Sequence, residues 1–572
     1  MTVKKLLVIL FMALLIGCAK VQMDADRAVE SVQRSDNRPN FITFIIDDMG
    51  FSDLGSYGGE ISTPNIDALA ADGVMLTDFH SAPTSTPARS MLFSGMDNHH
   101  TGYGTMSGFV REEQKGKPGY EFELSRDFKI YPEMLRDNGY QTMMTGKWDV
   151  GEEPGQYATD RGFTNTKALL LPGGDVHYSE PDGKIITSKD SEFYKKLSRT
   201  SPYNENGKEL KKFSREFYSP DYYTDSGIEM LEERDKSKPF YLNISHIAVH
   251  CPLQAPENMV QKYIGTYSRG WDVLRQERFD RQKKLGLFPA DAVLPDRPDI
   301  VQWNSLDSYT QKVQARKMAV YAAMVDSLDQ NVGKLIAYLK KIGEYENTVF
   351  IVFSDNGAAY RAPAVYEKGR GDYIRSNFFT DEDFKKPENY KQIGSRYSYS
   401  SYGKEWSMLC NAPFNQTKGT TFEGGIHTPA IVHYPGSKVS GVKMTRLVSV
   451  MDISHTILDM AGIEQWNASF GTPDIQRGVS FANIFDGIIS EDPERVIGWE
   501  FNGRKGLRKG NWKLSQHSTS NKVYLFNLKD DPFESKDLSE KNPEKYHEMW
   551  KAYEAYEKNN GVVRVPTVKP KK

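Results

Sequence analysis

The chain has 572 residues, of which 38% are hydrophobic and 26% are charged, as in an ordinary globular protein. This length predicts one large domain joined to a smaller one. The formal net charge of −3 gives no sign of the basic surface that nucleic-acid-binding proteins carry, so we expect no nucleic-acid partner.

The N-terminus predicts export. Two lysines precede an unbroken apolar run, residues 6–16, which leads to Gly17 and Cys18. Eleven apolar residues are too few to span a bilayer but suit the core of a signal peptide. The run ends like a bacterial lipobox, which would make Cys18 the lipid-anchored mature N-terminus; a plain secretory signal with an incidental cysteine is the alternative. We predict a lipoprotein signal peptide over 1–18, a tether over 19–38, and an exported bacterial lipoprotein in the periplasm or at the outer-membrane or cell surface.

Four short runs without charge predict strands that are buried on both faces. A longer segment, residues 321–339, places apolar residues at helical spacing. Strands that alternate with helices predict an α/β fold with a large mixed, mostly parallel sheet flanked by helices. The four runs are residues 41–46, 143–145, 240–245 and 349–353.

Two further segments differ in character. Residues 254–307 are charged and aromatic with little periodicity, which predicts an insertion covering one side of the sheet. We predict a catalytic domain over 39–490 and a smaller C-terminal α+β subdomain over 491–572. The subdomain's expected elements are hairpin strands within 503–514 and 523–528 and a closing helix over 543–557.

Oxygen-rich pairs of residues follow two of the predicted strands. Asp47 and Asp48 come directly after one strand, and Asp355 and Asn356 follow another. Adjacent carboxylates repel each other unless a cation lies between them, and a set of oxygen ligands without thiolates suits Ca²⁺ or Mg²⁺. Each pair taken alone is more often a turn or a helix cap. Their equivalent positions at strand ends, where ligands bind in such sheets, favour a metal site.

Cationic side chains and a helix start extend the candidate site. Lys147, His250 and Lys418 follow strand ends or lie in a glycine-rich turn region. Ser85 begins a short apolar helix, where it is either an ordinary cap or a reactive residue at the positive end of the helix. Cations that converge on a metal and a helix N-terminus form a trap for a tetrahedral oxyanion, so sulfate and phosphate esters are the candidate substrates.

The segment Ser85-Thr-Pro-Ala-Arg89, completed by residues 92–95, resembles the activation signature of the type I, formylglycine-dependent sulfatases of the alkaline phosphatase superfamily. The resemblance extends over about residues 38–560, and the chain resembles bacterial arylsulfatases of the serine type. Further landmarks occur in family order at 62–67, 146–148, 248–256, 270–275, 354–357, 418–425, 507–514 and 524–531.

The resemblance implies that Ser85 is oxidised to 3-oxoalanine (formylglycine) by a serine-type radical-SAM maturase. The hydrated aldehyde, held by Arg89, would attack sulfur while Lys147 and Lys418 neutralise the sulfate oxygens. His250 would protonate the departing alcohol. One divalent cation, expected to be Ca²⁺ with Mg²⁺ as the alternative, would be bound by Asp47, Asp48, residue 85, Asp355 and Asn356.

The sequence departs from the family pattern at Asp149, where the family usually has a histidine that contacts the formylglycine hydroxyl. Asp149 could take that role, although an unperturbed aspartate, with a pKa of about 3.9, is a weaker base than histidine. His99 and His100 follow the Ser85 helix and are alternative substitutes, unless they only pack or bond the backbone.

The expected substrate is a sulfated polysaccharide or oligosaccharide, such as ulvan, carrageenan, fucoidan or a glycosaminoglycan. A cluster of basic residues could hold such a polyanion, or could be a solvated hairpin. A phosphonate or phosphate ester hydrolase and a non-catalytic glycan-binding lipoprotein are the alternative functions. Cys251 and Cys410 either pair or, as we favour, are two small buried hydrophobic residues. The basic cluster is Arg504, Lys505, Arg508, Lys509 and Lys513.

Overall fold

The computed structural model describes most of the chain that follows the expected leader. The predicted signal peptide and nearly all of the predicted tether lie outside the described residues, so their predictions stay untested. Among the described residues, no helix is both long enough and apolar enough to cross a membrane. The described ranges are 36–170, 176–186, 201–297, 299–360, 376–463, 475–489, 492–517 and 520–566.

A ten-stranded mixed sheet forms the centre of the molecule. The described strands are, in chain order, β1 (Asn40–Ile46), β2 (Val74–Leu76), β3 (Phe79–His80), β4 (Gln141–Lys147), β5 (Asn165–Leu169), β6 (Tyr203–Glu205), β7 (Lys208–Glu209), β8 (Phe240–Ser245), β9 (Thr348–Ser354), β10 (Phe379–Thr380), β11 (Ser398–Tyr399), β12 (Ala430–His433), β13 (Val442–Met444), β14 (Val448–Ser449), β15 (Val496–Phe501), β16 (Arg504–Lys509), β17 (Trp512–Gln516) and β18 (Val523–Asn527). The large sheet runs in the order β13-β2-β12-β9-β1-β8-β4-β5-β6-β7.

The five central strands, β9-β1-β8-β4-β5, are all parallel. Strand β1 is buried on both faces of the sheet. Ile42 and Phe44 belong to the apolar core on one face, and Phe41 and Ile45 belong to the core on the other. A strand without charge is stable only between two apolar layers, and parallel sheets provide both. The four predicted strands are β1, β4, β8 and β9, so the predicted fold class is confirmed.

Helices cover both faces of this sheet. The Ser85 helix, Ser85–Ser94, contributes Met91 and Leu92 to one core, and the long helix, Ser308–Lys341, contributes Met324 to the other. The long helix starts well before the predicted periodic segment because the Asp307 carboxylate caps its first turn. The α-helices of the described residues are Pro64–Asp72, Ser85–Ser94, Tyr131–Asp137, Ser219–Glu233, Glu257–Gln261, Ile264–Tyr267, Trp271–Lys284, Ser308–Lys341, Lys404–Cys410, Glu423–Ile426, Met451–Met460 and Pro543–Asn559.

The predicted insertion contains three of these helices, the longest being Trp271–Lys284. Its sequence lacks apolar periodicity because buried polar groups face the rest of the protein. Arg278 is fully buried and pairs with Asp53 at 2.7 Å and with Glu60 at 2.7 Å. Ion pairs at this interface therefore replace the apolar stripe that would have revealed the helix in the sequence.

The C-terminal part forms a separate antiparallel sheet, β15-β16-β17-β18, with the helix Pro543–Asn559 packed against β16 and β17. Alternation along these strands divides the predicted basic cluster, because neighbouring residues point to opposite faces. Lys513 is fully buried. Arg508 forms a bidentate ion pair with Asp78, with distances of 2.6 and 2.8 Å. These two residues hold the subdomain to the rest of the protein and are not a solvated basic surface.

The two cysteines of the described chain are both free. Cys410 is fully buried, and Cys251 is partly exposed. The prediction that both cysteines are unpaired and buried is therefore confirmed for Cys410. For Cys251 the predicted burial is wrong, because this residue is partly exposed.

Candidate active site

The polar strand ends that the sequence singled out meet at one place. Strands β9, β1, β8 and β4 are neighbours in the sheet, so Asp355, Asp47 and Lys147 lie at adjacent carboxyl ends. The N-terminus of the Ser85 helix points at the same place. Ser85 Oγ lies 3.0 Å from Asp47 Oδ1 and 3.1 Å from Asn356 Oδ1.

The acidic residues form a compact group that fits a divalent cation. Oxygen atoms of Asp47, Asp48 and Asp355 all lie within 4.8 Å of one another, and all three residues are buried. Asp48 adopts a positive φ of 67°, a conformation that aspartate tolerates better than most residues. Asn356 adds an amide oxygen to the carboxylates. A buried set of oxygen donors of this kind is what Ca²⁺ and Mg²⁺ require.

Three cations surround the carboxylates. Lys147 Nζ donates to Asp47 Oδ2 at 2.8 Å, and Arg89 donates to Asp355 Oδ2 through Nε at 3.1 Å and Nη2 at 2.8 Å. Lys418 Nζ contacts Asp48 and lies 3.2 Å from Ser85 Oγ. The chain therefore places positive charge against each of the three carboxylates and beside residue 85.

His250 completes the set from the loop that follows β8. Its Nε2 lies 3.7 Å from Asp48 Oδ2, and its Nδ1 lies 2.6 Å from the carbonyl oxygen of Cys251. Because a carbonyl oxygen can only accept, Nδ1 carries a hydrogen and Nε2 is the nitrogen directed at the site. Burial lowers the pKa of His250, but the charge of Asp48 and other nearby groups outweighs burial and raises it to about 9.

The carboxylates respond to the same field in opposite ways. Burial disfavours ionised Asp47, but Lys147, His250 and Lys418 outweigh it and hold the pKa of Asp47 well below its usual range. Burial and the neighbouring charge of Asp47 raise the pKa of Asp355 to about 6. The ionised forms of Asp47 and Asp355 repel each other, and despite the nearby lysines the pKa of only one of the two is lowered. Adjacent carboxylates of this kind are typical of sites that bind a cation.

The Asp149 carboxylate lies beside two neighbours of the site, Thr86 and Lys147. Its Oδ2 accepts from Thr86 Oγ1 at 2.7 Å and lies 3.6 Å from Lys147 Nζ. His99 and His100, the alternative substitutes for the family histidine, contact other partners. Both ring nitrogens of His99 face carboxylates, those of Asp97 and Glu500, and His100 Nε2 lies 3.2 Å from the Asn559 carbonyl oxygen.

Two contributors to the site were not predicted from the sequence. Ser245, the last residue of β8, accepts from Arg89 through its Oγ, and Thr86 bonds Asp149. Ser245 ends a predicted strand, so the rule that identified the other strand ends could have identified it as well. Thr86 gives no signal of its own, because a hydroxyl in a helix's first turn is common.

Comparisons with known proteins agree with this geometry. The sulfatase family model matches residues 39–463, and the model of the N-sulphoglucosamine sulphohydrolase C-terminal region matches residues 416–558. An uncharacterized sulfatase of Schizosaccharomyces pombe is 36% identical over 550 residues, covering 93% of this chain and 96% of that protein. The arylsulfatase of Klebsiella aerogenes is 34% identical over 431 residues, covering 75% of this chain and 87% of that protein.

A solved structure shares the fold. The structure of BT4656 in complex with its substrate, D-glucosamine-2-N,6-O-disulfate, has a TM-score of 0.56 and 20% sequence identity, covering 92% of this chain and 98% of the other. With the family match spanning most of the chain and the predicted site residues assembled at one sheet edge, the protein belongs to the sulfatases, the sulfuric ester hydrolases of the alkaline phosphatase superfamily.

Proposed function

We propose that this protein hydrolyses sulfate esters of a carbohydrate, with residue 85 oxidised to formylglycine as the nucleophile. The observation that carries the proposal is the position of Ser85 Oγ, within 3.2 Å of Asp47, Asn356 and Lys418 at a buried helix N-terminus. A serine with only a capping role would bond backbone amides of its own helix. Here its oxygen faces the carboxylate of Asp47, the amide oxygen of Asn356 and the ammonium group of Lys418.

The overall reaction consumes one water. The S–O bond to the carbohydrate breaks, the alcohol oxygen takes a proton, and the sulfate leaves with the oxygen that water supplies. Formylglycine, when hydrated, supplies one hydroxyl to attack sulfur and a second to drive release of sulfate, which an unmodified serine lacks. The N-terminus of the Ser85 helix favours the negative charge that develops there.

The carboxylates Asp47, Asp48 and Asp355, with Asn356 and residue 85, would hold the divalent cation, which we propose is Ca²⁺ with Mg²⁺ as the alternative. The cation would act as a Lewis acid toward the sulfate group. Without it, the four aspartates of the site and the four cations Arg89, Lys147, Lys418 and protonated His250 sum to a formal charge of 0. A bound divalent cation would change that sum to +2, which would attract a sulfate monoester. The four aspartates are Asp47, Asp48, Asp149 and Asp355.

The remaining side chains act on the substrate's charges and protons. Lys147 and Lys418 approach residue 85 from different elements and would neutralise the sulfate oxygens. Arg89 is fixed by its hydrogen bonds to Asp355 and Ser245, and it would hold the formylglycine at position 85 in place. His250 Nε2 faces the site with its other nitrogen already bonded, so it would donate a proton to the departing alcohol.

We infer a carbohydrate substrate from the structural neighbour that binds a disulfated glucosamine as its substrate. Algal polysaccharides and glycosaminoglycans fit this proposal equally. A phosphate or phosphonate ester hydrolase is the second candidate, because a cation beside lysines would also stabilise a phosphoryl group.

The proposal is tested by coexpression with a serine-type maturase and mass measurement of the peptide that contains residue 85. Oxidation to formylglycine removes two hydrogens, a loss of about 2 Da. We expect this loss together with hydrolysis of 4-nitrophenyl sulfate and of sulfated oligosaccharides, and much weaker hydrolysis of 4-nitrophenyl phosphate. The Ser85→Ala variant, purified in the same way, is the control. An unmodified peptide, or a preference for the phosphate ester, would contradict the proposal.

We also propose that the protein is exported and anchored through Cys18. The support is the apolar run followed by Gly17 and Cys18 in the sequence. Radiolabelled palmitate should be incorporated by the full chain and lost in the Cys18→Ser variant. Secretion of an unlabelled full chain would favour a plain signal peptide.

A further inference from the structure

A buried histidine, His177, contacts the segment that carries His250. His177 is fully buried, and its Nε2 lies 2.8 Å from the carbonyl oxygen of His250, 73 residues away along the chain. A carbonyl oxygen can only accept, so Nε2 carries a hydrogen and donates it. The other ring nitrogen, Nδ1, lies 2.7 Å from Ser219 Oγ.

His177 is itself fixed by its backbone. Its amide donates to Gln254 Oε1 at 2.7 Å, and its carbonyl oxygen accepts from the Ser219 amide at 2.9 Å. Gln254 in turn donates to the carbonyl oxygens of Arg396 at 2.7 Å and Ser398 at 3.0 Å. These bonds fix the backbone of His177, and the contact of Nδ1 with Ser219 Oγ orients its ring toward the His250 carbonyl.

The bond from His177 acts on the backbone of His250, not on its ring. His250 Nδ1 is bonded to the carbonyl oxygen of Cys251, so the ring and the backbone of this residue are fixed from two sides. A shift of the backbone at His250 would move Nε2 relative to residue 85, and a displacement of about 1 Å is enough to lower a rate by about 100-fold.

We propose that His177 is a positioning residue for proton donation by His250, with Ser219 orienting its ring. This inference rests on the proposed function, in which His250 protonates the departing alcohol. His177 does not touch the substrate. It holds the carbonyl of His250, so that Nε2 stays in line with the oxygen that leaves.

The consequence depends on the leaving group. A nitrophenolate is stable as an anion and leaves without a proton, whereas a sugar alkoxide needs one. Loss of correct positioning should therefore weaken hydrolysis of carbohydrate and alkyl sulfates and spare activated aryl sulfates. A defect in folding or in sulfate binding would lower all of them by the same factor.

The experiment measures kcat/KM of the matured enzyme with 4-nitrophenyl sulfate, with phenyl sulfates of less acidic phenols, and with a sulfated monosaccharide. For His177→Ala we expect less than a threefold loss with 4-nitrophenyl sulfate and a loss of tenfold or more with the sugar sulfate, since general acid catalysis contributes about 10²–10⁴. The slope of log kcat/KM against the pKa of the leaving group should become steeper.

The control is His177→Gln, whose side-chain amide can donate to the same carbonyl and should restore most of the activity on the sugar sulfate. Ser219→Ala keeps the imidazole and removes only its orienting hydroxyl, so it should show a smaller loss in the same direction. If His177→Ala does not fold, the Ser219→Ala variant tests the inference in its place. An equal loss with every substrate, or an unchanged slope in both variants, would overturn the inference. A wild-type enzyme that hydrolyses no sulfate ester would refute the proposed function instead.

Discussion

The buried cation His99 gives a prediction whose size follows from the structure. His99 Nδ1 lies 2.7 Å from Asp97 Oδ1 and its Nε2 lies 3.3 Å from Glu500 Oε2. Burial lowers the pKa of His99, but the two carboxylates outweigh it and raise the pKa to about 9. The bonds connect the end of the Ser85 helix region to strand β15 of the C-terminal subdomain.

The direction of the pH effect follows from this shift. The folded protein binds the His99 proton more tightly than the unfolded chain, in which a histidine has a pKa of about 6.5. The stabilisation is therefore complete below about pH 6.5 and is lost as the pH rises through about 9. One pKa unit corresponds to about 1.4 kcal/mol, so the shift contributes about 3 kcal/mol.

The assay is urea unfolding of wild type and His99→Gln, followed by tryptophan fluorescence at fixed pH values from 6 to 10. We expect the free energy of unfolding of the variant to be lower by about 3 kcal/mol at pH 6 and by less than about 1 kcal/mol at pH 10. His100→Gln is the matched control, because His100 Nε2 contacts a backbone carbonyl oxygen, whereas His99 contacts two carboxylates.

Catalysis separates this structural role from a chemical one. If His99 only holds the two regions together, kcat of the folded His99→Gln enzyme should equal that of wild type. A difference in unfolding free energy that does not change with pH would refute the electrostatic reasoning. A large fall in kcat of the folded variant would show that His99 takes part in the reaction after all.

Three further outcomes test the site and its support. Lys513→Met should lower the free energy of unfolding by about 3–5 kcal/mol, because it leaves Glu423 and Glu534 buried without their shared cation; urea unfolding checks this. Lys418→Ala should lower kcat with 4-nitrophenyl sulfate by about 10²–10³, since it removes a charge 3.2 Å from residue 85; unchanged kcat would contradict its role. Asp48→Asn should weaken binding of Ca²⁺ at least tenfold in calorimetry, whereas Asp67→Asn, at a helix start away from the site, should not.

The class of fold and most of the site can be predicted from the amino-acid sequence alone. Charge-free runs such as that of β1 can be stable only inside a sheet covered on both faces, and the polar residues that follow them must then lie at the sheet's carboxyl edge. This local rule is enough to place Asp47, Lys147 and Asp355 together. The oxidation of Ser85, in contrast, is implied only by the resemblance to a family, because nothing in spacing or hydropathy encodes a covalent modification.

Roles that depend on partners distant in the chain follow only from the folded molecule. Lys513 and Arg508 resemble a basic surface in the sequence, but Arg508 pairs with Asp78 and Lys513 pairs with both Glu423 and Glu534, and this pairing makes their burial possible. The sequence shows no apolar pattern for the helix Trp271–Lys284 because its buried Arg278 pairs with Asp53, which lies outside the insertion.

The histidines show the same limit most clearly. His99, His177 and His250 are the same residue type, yet one contacts two carboxylates, one contacts a backbone carbonyl oxygen and one faces the site. A histidine's role depends on what each ring nitrogen meets, and those contacts join residues up to 401 positions apart. Local patterns can therefore predict where a strand ends, but only the folded chain determines which group each imidazole serves.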